Sequence, residues 1–85
     1  MYLIYSKDGC RFCENAVQAV STFKVKASVL KVDKDFTREE FLNLFVGNHN
    51  HHTFPAILYI DPLTHKKSFV GGFTEFKTHL GENYL

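Results

Sequence analysis

The sequence predicts an α/β fold in which a four-stranded mixed sheet, with strand order 2-1-3-4, is flanked by three helices. Two observations support this prediction. β-branched and aromatic runs alternate with segments whose apolar residues recur at helical spacing, in the order βαβ, α, ββ, α. The 85 residues are 45% hydrophobic and include nine Phe and four Tyr, which is enough for one core, and no segment has the composition of a linker. We therefore expect a single domain over residues 1–85.

The N-terminal part of the chain predicts a βαβ unit. Tyr2–Ser6 is a short β-prone run, and the turn signal Asp8-Gly9 follows it. Over about residues 11–24, apolar residues recur on one helical face without any Gly or Pro. A second β-branched run covers residues 27–33. The two strands are therefore expected to be parallel, with a right-handed crossover through the helix.

The middle of the chain predicts a second helix followed by a polar loop. Thr37 and Glu40 have the spacing of a capping box, and the apolar residues that follow end before Gly47. We expect the helix to stop there. Residues 48–53 contain three histidines and two asparagines and are predicted to be a loop by composition.

A strand pair and a last helix complete the predicted fold. Ala56–Ile60 is an almost continuous apolar run, typical of a central strand that is covered on both faces. The more polar residues 66–70 are predicted to return beside it as an antiparallel edge strand. The last helix is expected from Thr74 to Leu80, with Gly81 as its stop. This arrangement of elements is the thioredoxin architecture.

Composition argues against several classes of partner. The formal net charge is +1, without a basic stripe or an acidic tail, so neither nucleic acid nor an anionic membrane surface is expected. No apolar run approaches the roughly 20 residues that span a bilayer, and the N-terminus lacks the charged and apolar regions of a secretory signal. A cytoplasmic location is therefore expected, and in that reducing compartment a lone cysteine pair favours catalysis over a structural disulfide.

The cysteine pair Cys10 and Cys13 lies where the first strand gives way to the first helix. Unpaired N–H groups and the positive end of the helix dipole favour a thiolate at that point. Cys10 is therefore predicted to be the activated sulfur. Cys13 lies about one turn deeper, close enough to form a disulfide but more shielded, and is predicted to be the resolving thiol.

Other uses of a C-x-x-C pair stay open at this point. A haem attachment site is disfavoured because Glu14, and not His, follows Cys13. A zinc site needs four ligands, and the adjacent His51 and His52 do not have the usual ligand spacing. A redox pair is the favoured interpretation, with a metal site and an inert buried pair as the alternatives, and we expect no bound metal. The histidines of residues 49–52 are expected to form only a polar loop.

Four groups of residues together match one known family. They are Lys7 three residues before Cys10, the Cys10-Arg11-Phe12-Cys13 site, Thr53-Phe54-Pro55 where the family has Thr-Val-Pro, and Gly71-Gly72 followed by Phe73-Thr74-Glu75. With these residues the chain resembles the glutaredoxins over essentially its whole length. The run Cys13-Glu14-Asn15-Ala16 is also similar to the short dithiol glutaredoxins of large bacterial viruses, which would act in the host cytoplasm.

The resemblance implies an activity that the spacing alone does not. It implies a glutathione-dependent oxidoreductase that reduces protein disulfides and glutathione mixed disulfides, with glutathione as the co-substrate and ribonucleotide reductase as a possible protein client. We expect a monomer. Two other functions remain as hypotheses: a thioredoxin-like donor that a flavoenzyme reduces directly, and an iron–sulfur or zinc binding module in which two chains share a metal through Cys10.

The resemblance also implies which residues bind the glycyl and cysteinyl parts of glutathione. Lys7 would hold the glycyl carboxylate and favour the Cys10 thiolate, and Arg38 falls roughly where the family places a second glycyl-binding residue. Phe54, after Thr53, would pair through its backbone with the cysteinyl part, before a Pro55 that the family holds in cis. The plain alternative for both cations is an ordinary solvated surface residue.

At the γ-glutamyl end, the resemblance implies a role for the double glycine and the helix that follows. Gly71 and Gly72 would turn the chain, and the N–H groups of Gly72, Phe73 and Thr74 would meet the γ-glutamyl carboxylate at the helix start. Glu75 would take the ammonium group. These residues could instead serve only as a turn and a favourable helix start.

Two residues between the cysteines depart from the family's frequent pattern. Phe12 stands where the family often has Tyr, and would keep an aromatic wall without the hydroxyl. Arg11 replaces a frequent proline and adds a cation beside the thiolate. We expect Arg11 to stabilise the thiolate and to shift the redox potential.

Overall fold

A mixed sheet of four strands, with helices on both faces, organises the computed structural model, which describes residues 1–84. The strand order 2-1-3-4 confirms the predicted topology. In chain order, the elements are β1 (Tyr2–Ser6), α1 (Arg11–Phe23), β2 (Ala27–Lys31), α2 (residues 38–49), β3 (Ala56–Ile60), β4 (Lys67–Gly71) and α3 (Phe73–Tyr84).

The pairing of the strands follows the predicted directions. β1 lies parallel to β2, with Tyr2 opposite Ala27, and antiparallel to β3 on its other side. β3 and β4 form the antiparallel pair, with an irregularity between Ile57 and Leu58. β1 and β3 are therefore the central strands, as their apolar sequences predict.

The alternation of side chains along β1 builds a core on each face of the sheet. Tyr2 and Ile4 point to one face, where α1 and α3 cover them, and Leu3 and Tyr5 point to the other, where α2 covers them. The first core is centred on Phe76 and Leu80 of α3, both fully buried. The second core is mainly aromatic, and its buried members are Phe36, Phe41, Phe45, Ala56 and Leu58.

α2 begins where the sequence predicts but does not end there. The Thr37 hydroxyl accepts from the Glu40 N–H at 3.1 Å, and Glu40 Oε1 accepts from the Thr37 N–H at 3.0 Å, which confirms the capping box. The expected stop at Gly47 is wrong. α2 consists of an α-helical turn Arg38–Phe41, a π-helical segment Leu42–Val46 and a final turn Gly47–His49.

The backbone explains why α2 continues past Gly47. Gly47 has ordinary helical angles, and Asn50 takes the left-handed conformation that ends a helix, with φ 51°. Asparagine tolerates that conformation better than most residues, so it supplies the stop that was expected of the glycine. The predicted loop 48–53 accordingly loses its first two residues to the helix.

α3 also runs past its expected stop. It begins at Phe73 and continues through Gly81 to Tyr84. A glycine inside a helix costs about 1 kcal/mol relative to alanine but does not end the helix unless its backbone turns left-handed. The fully buried Leu80 holds this turn against the sheet. No helix within residues 1–84 is long and apolar enough to cross a lipid bilayer.

The remaining bounds differ from the predictions by one or two residues. α1 ends at Phe23 because Lys24 turns left-handed, with φ 54°. β2 ends at Lys31, before a turn in which Asp33 has φ 66°. β4 is shifted by one residue, so that Gly71 belongs to the strand.

Candidate active site

The two cysteines lie at the junction of β1 and α1, as the sequence predicts. Cys10 is the N-cap residue of α1, and its Sγ atom accepts a hydrogen bond from the Cys13 N–H at 3.2 Å. The pair forms a disulfide, with the two Cα atoms 5.2 Å apart. A backbone donor of the first helical turn is therefore aimed at the sulfur of Cys10, which favours negative charge on it.

The two sulfur-bearing residues differ in exposure in the predicted sense. Cys10 retains 8% of its surface and Cys13 retains 3%. Both cysteines are therefore largely covered by the protein. The Cys10 Sγ atom lies 3.9 Å from the carbonyl oxygen of Phe54, which places the loop before β3 directly beside the redox pair.

The peptide bond between Phe54 and Pro55 is cis, as the resemblance implies. Phe54 packs its ring on Phe41, with centroids 4.5 Å apart, so α2 holds the residue whose backbone faces Cys10. Lys7 Nζ lies 5.8 Å from the centre of the same ring. The structure thus brings Lys7, Phe54 and Cys10 together from three separate segments.

A cleft of about 190 Å³ lies on one side of Phe54, and we call it the Phe73 cleft. It gathers eight of the predicted glutathione-binding residues and one that was not predicted. The lining residues are Phe12, His51, Thr53, Phe54, Pro55, Gly72, Phe73, Thr74 and Glu75. Phe12 is 58% exposed and approaches Phe73, with ring centroids 6.1 Å apart, so two aromatic rings flank the cleft.

At the start of α3, one backbone N–H group that was expected to be free already has a hydrogen-bond acceptor within the protein. The Gly72 N–H donates to Glu75 Oε1 at 2.8 Å. The expectation that Gly72 offers a free N–H to a ligand is therefore wrong, because Glu75 already binds it as a helix cap. The N–H groups of Phe73 and Thr74 have no acceptor within the helix, since they belong to its first turn.

Gly71 is required by the close approach of Glu75. It has φ +128°, and a Cβ atom at this position would lie 2.8 Å from the Glu75 side chain. Any side chain there would both strain the backbone and displace Glu75. Gly71 therefore shapes the cleft by leaving room, without lining it.

A second pocket, of about 230 Å³, lies on the other side of Phe54, and we call it the Arg38 pocket. Its lining residues are Arg38, Phe41, Leu42, Val46, His52 and Phe54. Arg38 therefore lies beside Phe54. Arg11, by contrast, is exposed on the first turn of α1 and lines neither cavity.

A third cavity, of about 370 Å³, is lined by Cys13. Lys31 Nζ bonds Asp8 Oδ1 at 2.7 Å at this site, an exposed ion pair that lowers the pKa of Asp8 and raises that of Lys31. Cys13 lines this cavity, whereas Cys10 does not. Lys7 also lines this cavity, whereas the other predicted glutathione-binding residues do not.

His51 is the site residue that the sequence did not single out. It is half-buried, its Nε2 atom lies 3.2 Å from the carbonyl oxygen of Pro55, and its ring contacts Phe69 with centroids 5.4 Å apart. His49 stacks on the same Phe69 at 4.3 Å. The expectation of a merely polar loop is thus wrong for these two histidines. The available signal was the position of His51, four residues before the cis proline.

No group of three or more His, Cys, Asp or Glu side chains within residues 1–84 is placed to hold a metal ion. The structure therefore directs attention to the dithiol and the two cavities that flank Phe54. Both cavities are largely apolar, and each adds a charged side chain, Glu75 in the Phe73 cleft and Arg38 in the Arg38 pocket, so together they suit a small ligand with charges at both ends.

Comparison with known proteins points to one family. The family model for Glutaredoxin matches residues 3–61. Among solved structures, a crystal structure of a buckwheat glutaredoxin–glutathione complex is similar, with a TM-score of 0.76 and 12% sequence identity over 98% of this chain and 71% of that chain. At that identity the likeness shows the thioredoxin-like fold. A sequence search of curated proteins finds no match.

Proposed function

This chain belongs to the glutaredoxin family of thiol–disulfide oxidoreductases, and from that premise we propose that it uses glutathione to reduce protein disulfides and glutathione mixed disulfides. One observation carries the proposal. The sulfur of Cys10 lies at the N-terminus of α1, 3.9 Å from the carbonyl oxygen of Phe54, and Phe54 lines two cavities, one with Arg38 and the other with the start of α3.

Glutathione would bind across Phe54 with its sulfur at Cys10. The backbone of Phe54 would pair with the cysteinyl part like one rung of an antiparallel sheet. The γ-glutamyl group would enter the Phe73 cleft, where the N–H groups of Phe73 and Thr74 suit a carboxylate and Glu75 suits an ammonium group. The buckwheat protein of similar fold was crystallised with glutathione, which supports this assignment.

At the other end of the ligand, cations meet the glycyl carboxylate. Lys7 lies over the Phe54 ring, and Arg38 lines the pocket beyond it. Both are exposed, so each would contribute a screened attraction rather than a buried ion pair. We expect them to act together on affinity.

In the monothiol route, the Cys10 thiolate attacks the glutathionyl sulfur of a mixed disulfide. A bond forms between Cys10 and that sulfur, the original disulfide breaks, and the protein sulfur leaves as a thiolate that takes up a proton. A second glutathione thiolate then attacks the glutathionyl sulfur on Cys10. Oxidised glutathione leaves, and the Cys10 thiolate is regenerated.

In the dithiol route, the Cys10 thiolate attacks a protein disulfide and forms a mixed disulfide with the client. The Cys13 thiolate attacks the Cys10 sulfur, and the client leaves with both of its sulfurs reduced. The Cys10–Cys13 disulfide that results is the state seen in the structure. Two glutathione molecules then reduce it and leave as oxidised glutathione.

We extend the proposal to a client and a location on the family resemblance alone. Ribonucleotide reductase is a suitable protein client because its turnover leaves a disulfide that a dithiol donor can reduce. A cytoplasmic location suits the proposed chemistry, since the glutathione pool there is reduced.

The experiment that tests the proposal compares three forms of the protein on a glutathionylated peptide with glutathione as the reductant. We expect Cys10→Ser to lose activity to background and Cys13→Ser to retain it, because the monothiol route needs only Cys10. Equal tolerance of both changes would contradict the assigned roles. Inactivity with glutathione, together with direct reduction by a flavoenzyme reductase, would instead indicate a thioredoxin-like donor.

A further inference from the structure

His51 approaches the part of the Phe73 cleft where the start of α3 meets the loop before β3. A Cβ atom built on Gly72 would lie 3.4 Å from Glu75 Oε1, 3.5 Å from His51 Cε1 and 3.6 Å from Pro55 O. The imidazole, the carboxylate and the carbonyl therefore converge on one glycine. The ring of His51 forms part of the wall of the Phe73 cleft.

The hydrogen bond of His51 fixes which ring nitrogen carries a proton. The Pro55 carbonyl can only accept, so Nε2 must donate, at 3.2 Å. In the neutral ring, Nδ1 is then an acceptor. When the ring takes up a second proton, Nδ1 becomes a donor and the ring becomes a cation. Because the His51 ring lines the Phe73 cleft and its Nε2 atom is engaged with Pro55, Nδ1 is the ring atom that remains to interact with a ligand.

The groups packed around His51 leave Glu75 as its charged neighbour. From α2, the ring of Phe45 lies 6.4 Å away, and from β4 the ring of Phe69 lies 5.4 Å away. His49 stacks on Phe69, so it is a second titratable group close by. From α3, Glu75 lines the same cleft, and its Oε1 atom lies 3.4 Å from the position that a Cβ atom on Gly72 would take. A proton on His51 would therefore be accommodated by one carboxylate of the protein and by any carboxylate that a ligand brings.

We propose that His51 makes recognition of the γ-glutamyl group depend on pH, through protonation of its imidazole at the wall of the Phe73 cleft. This inference rests on the proposed glutathione-dependent function and adds regulation to it. The protonated ring donates from Nδ1 to the γ-glutamyl carboxylate, while Glu75 holds the ammonium group. The neutral ring presents a lone pair to the same carboxylate and weakens its binding.

The test uses two mixed disulfides of one peptide, the first with glutathione and the second with N-acetylcysteinylglycine. The second substrate keeps the cysteinyl and glycyl parts but lacks the γ-glutamyl carboxylate and ammonium. The Cys10 thiolate attacks both substrates, so the ionised fraction of Cys10 affects both second-order rate constants equally. Its pH dependence therefore cancels when one rate constant is divided by the other. We expect this ratio to fall about three- to tenfold as the pH rises from 5.5 to 8, the range in which histidine loses its proton.

His51→Gln is the informative variant, since glutamine can still donate to the Pro55 carbonyl but cannot become a cation. For this variant, the ratio of the two rate constants should not change with pH. It should equal the ratio that the unchanged protein has at pH 8. His65→Gln is the matched control, because His65 is exposed in the turn between β3 and β4 and lines neither the Phe73 cleft nor the Arg38 pocket. The control should keep the full pH dependence.

The outcomes separate this inference from the proposed function. Reduction of both substrates with a ratio that does not change with pH, in the unchanged protein and in His51→Gln alike, would overturn the inference alone. Failure to reduce either substrate would overturn the proposed function and the inference with it. If His51→Gln folds poorly, the pH profile of the unchanged protein still tests the inference. A histidine with a purely structural role would leave the ratio of the two rate constants constant with pH.

Discussion

The two ends of the central strand β1 satisfy their polar groups in different ways. At the N-terminal end, Tyr2 is fully buried and its hydroxyl lies 2.6 Å from His79 Nδ1, with the rings of Tyr59 and Phe76 each 5.0 Å away. At the C-terminal end, the chain leaves Ser6 for the loop that carries Lys7 to the cysteines. The Tyr2 end of β1 satisfies its polar group through internal contacts, whereas the Ser6 end leads to the cysteines and the two cavities beside Phe54.

This difference indicates that the Tyr2 end of β1 contributes mainly to stability and the cysteine end mainly to function. The Tyr2 end uses its hydrogen bond and its aromatic contacts internally, so it has no donor to offer a ligand. The cysteine end places helix N–H groups, cations and a cis proline beside clefts. Substitutions at the two ends should therefore separate activity from stability.

The largest effect is expected from Gly71→Ala, at the cysteine end. A Cβ atom on this residue would lie 2.8 Å from Glu75, and φ is +128°, so we expect a loss of about 2–4 kcal/mol in the free energy of unfolding. Displacement of Glu75 should also raise the KM for a glutathionylated peptide. Urea unfolding and steady-state kinetics measure the two effects.

Gly47→Ala is the matched control for that substitution. Gly47 has helical angles and its added Cβ would meet Leu42 O only at 3.7 Å, so alanine should stabilise α2 by about 0.5–1 kcal/mol. A similar loss in both variants would show that Gly71 has no special role. It would also remove the proposed link between Gly71 and Glu75.

An intermediate effect, confined to activity, is expected from the double change of Lys7→Ala and Arg38→Ala. Both cations are exposed and flank Phe54, so their loss should raise the KM for glutathionylated substrate about tenfold at low salt and leave the unfolding midpoint nearly unchanged. Salt at about 1 M should remove most of the difference, because it screens exposed charges. Lys26→Ala, an exposed lysine beside β2, serves as the control and should behave as the unchanged protein.

Several features of both ends could be predicted from local sequence. β1 and β3 have the predicted bounds because a strand needs only an apolar run bounded by turn signals. The cysteines fall at the helix start for the same local reason. The roles of Lys7 and Arg38 came from the family resemblance and not from spacing.

Other features depend on contacts between distant parts of the chain, which the sequence pattern does not reveal. Gly47 and Gly81 were predicted to end helices, but both glycines keep a helical backbone, and the buried Phe45 and Leu80 pack the turn before each glycine against the sheet. His51 looked like a polar loop residue, and its burial depends on Phe69, which belongs to β4. Tertiary packing overrides local propensity at these positions.

The smallest effect is expected at the Tyr2 end and should appear in stability alone. Tyr2→Phe removes a buried hydroxyl that faces His79, so we expect a loss of about 0.5–1.5 kcal/mol in the free energy of unfolding at pH 7. Activity on glutathionylated peptide should not change, because Tyr2 lies at the far end of β1 from the cysteines.

The same variant makes a prediction about pH. Burial, followed by the nearby Tyr84, raises the pKa of Tyr2 above its ordinary value, so the folded state favours the neutral phenol. That contribution is fully present below about pH 10, the ordinary tyrosine value, and is lost as the pH rises through the raised pKa. Urea unfolding from pH 8 to 11 should therefore show a steeper loss of stability in the unchanged protein than in Tyr2→Phe. Two results would contradict the separation of stability from activity between the two ends of β1. One is that the free energy of unfolding falls equally with pH in both proteins, and the other is that Tyr2→Phe loses activity at pH 7.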